Sequence, residues 1–175
     1  MQLIADLTEP FSMPSGLAGD ISVCHYRCMD LADCIPKDKF DRDSVQRAIE
    51  IGYPGINPIL PDLLVWLQDI NWPVTQDLVP LLKDAGTGIA PHITAILKST
   101  DSGWKYFVVS WLCKSVNNDV WALIETDLVR LAERPSKRDL EEEVDRVAAE
   151  VLAERRAERK KASDEKLGNG RRPGN

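Results

Sequence analysis

Residues 72–84 and 104–116 read as two copies of one structural unit. Each opens with a tryptophan at a turn and continues as an amphipathic helix. A second turn and a second amphipathic helix follow, starting near Ile89 in one copy and Val120 in the other. Trp72 and Trp104 stand about 32 residues apart, within the range of helical-hairpin repeats. The spacing limits the folds open to the chain. One such hairpin cannot bury its apolar face alone, so neighbours must stack, and a stack offers a surface rather than an enclosed pocket.

The hydrophobic pattern extends this reading in both directions. Val45, Ala48, Ile49 and Ile51 give the first helix an apolar side, and Gly52 supplies a stop. Ile56, Leu60, Leu63, Leu64 and Leu67 recur at helical spacing and predict a helix over 58–69. Asn71 is placed as an N-cap with Pro73 near the first helical position. Val74, Leu78, Leu81, Leu82 and Ala85 form the next stripe, which Gly86 ends, and Ile89, Ile93, Ile96 and Leu97 form another. After Asp101 or Ser102 comes a helix apolar on both sides. Trp104, Val108, Trp111 and Leu112 line one side, Tyr106, Val109, Cys113 and Val116 the other, so it should lie between layers. Val120, Ile124, Leu128 and Leu131 line a helix that Pro135 terminates. Ser136 and Asp139 resemble a capping box, with Leu140, Val144, Val147 and Val151 following as a coiled-coil-like stripe.

The expectation is an all-α chain. Three hairpins, 41–69, 72–99 and 103–133, make a short HEAT-like array, with a long C-terminal helix over 137–160 capping it. Four regions result: an irregular N-terminal arm (1–34), the helical core (35–135), an amphipathic helix (136–161) and a tail of disordered composition (162–175).

The string Ile35-Pro36-Lys37-Asp38-Lys39, Tyr53-Pro54, Pro58-Ile59-Leu60-Pro61-Asp62-Leu63-Leu64, Trp66-Leu67-Gln68-Asp69, Asn71-Trp72-Pro73-Val74, Ala90-Pro91-His92-Ile93 and Trp104-Lys105-Tyr106 resembles a small helical family of bacteria and some fungi, known only as a domain of unknown function. The resemblance covers roughly residues 35–133 and, more loosely, the acidic helix after Ser136. It implies a helical fold and supplies no activity, cofactor or catalytic residue.

Charge narrows the functional classes. A net charge of −6 and a pI near 5.0 argue against a nucleic-acid module, whose contact surface is basic, and suit a basic protein partner. No apolar run approaches the ~20 residues of a membrane span. The first twenty residues lack the basic and apolar regions of a signal peptide. Four cysteines without an export signal read as reduced thiols in the cytoplasm.

Chemistry-bearing motifs are sparse. Cys24, His25, Cys28 and Cys34 form the one metal-like cluster, but their spacing fits no common zinc template, and packed thiols are the preferred reading. His92 follows a helix-starting proline with no nucleophile motif beside it, so no catalytic residue is assigned. No phosphate loop or dinucleotide fingerprint is present, so no cofactor is expected. Trp66, Asp69, Asn71, Trp72, Trp104 and Lys105 lie at turns that stacking would bring to one end of the array. Tryptophan anchors interfaces well, although each indole could simply staple its own turn. Lys105, at a helix start, is expected to be exposed.

These features favour a non-enzymatic protein-interaction module, most concretely an inhibitor or immunity-like protein that binds a basic partner. One alternative is a HEAT-like enzyme or lesion-recognition protein, which a basic concave groove would mark. Another is a scaffold dimerising through 137–160.

Overall fold

The helices begin and end where local chemistry predicts, with instructive exceptions. In the computed structural model, which describes residues 30–169, every regular element is helical. Helix α1 (Arg42–Ile51) is capped by the Asp41 carboxylate, which accepts from the Ser44 N–H. It stops at Gly52, whose φ of 62° an L side chain rarely adopts. Helix α2 (Leu60–Val65) lies between two 3₁₀ turns, Asn57–Ile59 and Trp66–Gln68, so the α-helical part of 58–69 is shorter than its periodicity suggests.

Helix α3 (Pro73–Lys83) has Trp72 at its N-cap with no side-chain cap. Asn71 is therefore not the cap expected of it. It sits one residue too early, in a turn where the Asp69 carboxylate accepts from its backbone and side-chain N–H groups at 2.9 and 3.1 Å. Thr75 compensates. Its buried hydroxyl donates towards the Trp66 and Asp69 carbonyls at 2.9 and 3.2 Å, tying the start of α3 to the end of α2.

Helix α4 (Ala90–Leu97) leads to α5 (Ser102–Phe107), capped by Asp101 and continued as a π-helical segment over Val108–Cys113. Helix α6 (Asn118–Glu133) is capped by Asn117, and α7 (Lys137–Glu141) by the Ser136–Asp139 capping box. Helix α8 spans Val144–Asn169.

The single helix expected over 137–160 is thus two. Glu143 takes a φ of 55°, which breaks the path between α7 and α8 and shifts the apolar phase. Leu140 is consequently 54% exposed, while Val144, Ala148, Val151 and Leu152 form the buried stripe. Ile49 is another departure, turned outward while Val45 and Ala48 are buried.

Two rows of contacts organise the core. Helix α1 packs on α3, and α3 on the π-helical segment; α2 packs on α4, and α4 on α6. Helix α8 lies across the end of both rows, against α6 on one side and α5 with its π-helical continuation on the other. Its seat is reinforced where Arg155 stacks 4.9 Å from the ring centroid of the fully buried Trp121 and donates to the Val116 carbonyl. The turn after α1 meets the turn after α3 at Gly86, φ 61°, where an added Cβ would lie 2.7 Å from the Tyr53 ring.

Leu64 and Leu82 are buried on neighbouring helices. Truncating either to alanine should cost roughly 2–5 kcal/mol, as core cavities do. Urea denaturation checks this; a loss below about 1 kcal/mol at either position would mean that the site collapses without leaving a cavity.

Candidate functional site

The most unusual chemistry lies inside the molecule. Ser102 and Lys105 are one turn apart on α5 and so share a face. Ser136 and Asp139 are the reciprocal pair of the capping box. All four converge. Asp139 Oδ1 accepts from Lys105 Nζ and from Ser102 Oγ, each at 2.7 Å. Oδ2 accepts from the Ser136 backbone N–H at 3.0 Å and from Ser136 Oγ at 2.7 Å. Lys105 is 4% exposed and Asp139 2%. Burial works to raise the Asp139 pKa, but the hydrogen bonds from Lys105, Ser102 and Ser136 together outweigh it and hold the carboxyl well below its ordinary value.

Lys105 is therefore not the exposed helix-start residue the sequence suggested. The turn that places it beside Ser102 also aims it at α7, where Asp139 satisfies it. The arrangement also says what these groups do not do. Both hydroxyls donate to a carboxylate held well below its ordinary pKa, which makes it a weak base towards them.

The other residues singled out from sequence meet in part. Trp66 and Trp72 are half-buried and pack edge to face, 5.6 Å between centroids, on either side of the Asp69–Asn71 turn. The Trp104 indole N–H donates to the Leu64 carbonyl at 3.1 Å, joining α5 to α2. Trp104 also lines a shallow apolar groove of about 200 Å³ with Pro61, Leu64, His92 and Ile96. Lys105 belongs to the interior clasp rather than to this aromatic group.

Trp111 was placed by its apolar pattern inside a helix buried on two sides, yet it is 50% exposed. It lines a groove of about 470 Å³ with Ile70, Asn71, Gln76, Val79 and Pro80. The π-helical segment that carries it changes the angular step along the helix, so a stripe counted at 3.6 residues per turn puts Trp111 on the wrong side. One sequence signal was available in Pro80, which lies inside α3 and has no N–H to give the Gln76 carbonyl.

Of the metal-like cluster, Cys24, His25 and Cys28 lie outside the described residues. Cys34 is buried, and burial is the main cause raising its pKa. Burial also pushes the Cys113 thiol up to about 12. No group of three metal-ligating side chains occurs among the described residues, and none of their helices is long and apolar enough to cross a membrane.

Comparison with known families gives one match: the model of the Domain of unknown function DUF5071 covers residues 34–152. The chain belongs to that family. The matched span begins at Cys34 and ends at Leu152, the first and last buried apolar residues of the described core, so the family unit and the packed unit coincide. No curated protein matches the chain.

Breaking the Lys105–Asp139 pair from one side should be far worse than removing both charges. Lys105→Met or Asp139→Leu alone should cost about 3–5 kcal/mol, and the two together clearly less than their sum. Additive losses in chemical denaturation would show the two groups to be uncoupled. The pH dependence has a definite sign. Asp139 titrates lower in the folded chain, so its contribution is complete above the unfolded value near pH 4 and is lost as the pH falls below that value. Wild-type stability should fall between about pH 5 and pH 2 more steeply than that of the double variant; parallel profiles would contradict this.

Proposed function

We propose that this member of the DUF5071 family is a non-enzymatic protein-interaction module whose docking face is the groove around Trp111. The observation carrying the proposal is the half-exposed indole beside Ile70, Val79 and Pro80. A large aromatic at the edge of an apolar groove is the type of residue that concentrates binding energy at protein interfaces. Asn71 and Gln76 add polar groups to the lining that can fix orientation.

On this reading the helical hairpins form a HEAT-like stack. The two rows of contacts support it, α1, α3 and the π-helical segment in one and α2, α4 and α6 in the other. Stacking explains how residues from α3 and from the π-helical segment reach one groove although far apart in sequence. The partner is a protein with a basic surface, and the most concrete form of the module is an inhibitor or immunity-like protein. The net charge of −6 supports that choice, since it favours encounter with a basic partner at long range. The chain acts in the cytoplasm, a setting in which the buried thiols of Cys34 and Cys113 stay reduced.

The test compares wild type with Trp111→Ser in affinity capture from native lysate, with melting temperature measured alongside. A protein retained by the wild type and lost by a normally melting variant is expected, and its binding should weaken by about tenfold or more, as when an aromatic anchor is removed. Equal retention by both would overturn the assignment of the groove.

A further inference from the structure

The chain is acidic as a whole, yet one groove in it is strongly basic. The ends of α4 and α6, the start of α7 and one residue of α5 meet around a space of about 560 Å³. Six cations line it: Lys98, Lys105, Arg130, Arg134, Lys137 and Arg138; Asp139 is the one acidic residue among the lining. Asp127 stands 3.5 Å from both Lys98 and Arg130, and Glu141 3.8 Å from Lys137. Counting those carboxylates with Asp139, six positive charges face three negative ones. Arg134 and Arg138 have no carboxylate within ion-pair distance among the described residues. Arg138 also lines a second space, together with Asp101 and Glu142.

Helix electrostatics accounts for part of this cluster. Lys98, Arg130 and Arg134 lie at the C-terminal ends of α4 and α6, where positive charge is favourable, and Arg130 donates to the Leu97 carbonyl at 2.8 Å. Lys137 and Arg138 are the opposite case. They open α7, a five-residue helix whose first and last turns overlap, so helix electrostatics gives no reason for either. Lys137 reaches solvent, its side chain 92% exposed, with a loose i,i+4 contact to Glu141 at 3.8 Å. Arg138 has no carboxylate within ion-pair distance among the described residues, which leaves its guanidinium open to what the groove holds.

The geometry points to this groove as a binding site for a small polyphosphate group, either free or as the tail of a larger small molecule. Arginine forks match phosphate oxygens in pairs, and Ser99, Thr100 and Ser136 add neutral polar groups to the same wall. The volume falls within the range of small-molecule sites, about 300–1,000 Å³. No aromatic side chain lines the groove, so the site recognises the phosphates and not a base or ring. An extended polyanion fits less well. The basic residues converge on one pocket, and the net charge of −6 repels a long phosphate backbone beyond it.

Titration calorimetry on the full chain tests this with tripolyphosphate as the probe. ATP, AMP and a short DNA duplex serve as comparisons, and Arg134→Ala/Arg138→Ala as the variant. Both arginines are exposed, so the variant should melt normally. Tripolyphosphate and ATP should bind alike and AMP much more weakly, with the variant weakened by about tenfold or more because two charge-assisted contacts are gone. Preference for ATP over tripolyphosphate would still support the site and identify the larger molecule as the source of the phosphates. Absence of tripolyphosphate binding, or equal binding by wild type and variant, would overturn the proposal. Duplex binding as tight as that of tripolyphosphate and lost in the same variant would also overturn it, in favour of a nucleic-acid surface. Should the double variant melt low, Lys137→Gln gives the same reading from a side chain that lies mostly in solvent.

Discussion

A carboxylate and an ammonium removed from water must find each other with good geometry, and Asp139 and Lys105 do so at 2.7 Å. Neither could remain charged alone at such burial without a large desolvation penalty. That requirement fixes more than one contact. It sets the rotation of α5 about its axis, because Ser102 and Lys105 must face α7 together. It also sets the position of α7, a five-residue helix with too little apolar surface to dock by itself. With α7 held, the chain must turn before α8 can reach α6, and Glu143 makes the turn in a left-handed conformation. Helix α8 then packs against α6 and α5, and both partners of the clasp line the basic groove.

The features visible in the sequence were those that repeat. Leu60, Leu63, Leu64 and Leu67, or Val120, Ile124, Leu128 and Leu131, recur at the helical period because burial on one face demands it, and each set is buried. Gly52 and Gly86 were legible because a positive φ strongly favours glycine. The errors came where a single residue interrupts a repeat. Leu140 continued the stripe of α8 by count, but nothing in the sequence marks Glu143 as the break. Trp111 fitted a 3.6-residue period that the π-helical segment does not keep. Lys105 looked like any lysine near a helix start, and its partner lies 34 residues further on in what read only as a capping box. Trp66 and Trp72 pack edge to face about the turn between α2 and α3.

Net charge is an average, and a local excess of the opposite sign within it has a physical basis. Long-range steering responds to the sum of charges, but a bound ion responds to those within about a Debye length, near 8–10 Å at physiological salt. The sum is −6, while the junction of α4, α6 and α7 holds an excess of positive charge. The sequence hid this because Lys98, Arg130 and Lys137–Arg138 belong to three helix ends that only the fold brings side by side. The same acidic balance that argues against an extended nucleic-acid surface therefore leaves room for a compact anion.

The clasp and the groove share a wall, and this bears on why the clasp is ionic at all. Stability alone does not call for it, since apolar residues of similar volume commonly serve a buried position as well as an ion pair does. Lys105 and Asp139 both reach the lining of the groove, so an apolar replacement would put a greasy floor beneath Arg134 and Arg138. A charged floor keeps that wall polar, and Asp139 keeps the Lys105 ammonium fixed instead of letting it swing towards whatever occupies the space. The cations left to meet a ligand are then the ones at the rim, whose side chains can close around it without disturbing the helices. An interaction that sets the fold thus also confines recognition to residues that the fold can spare.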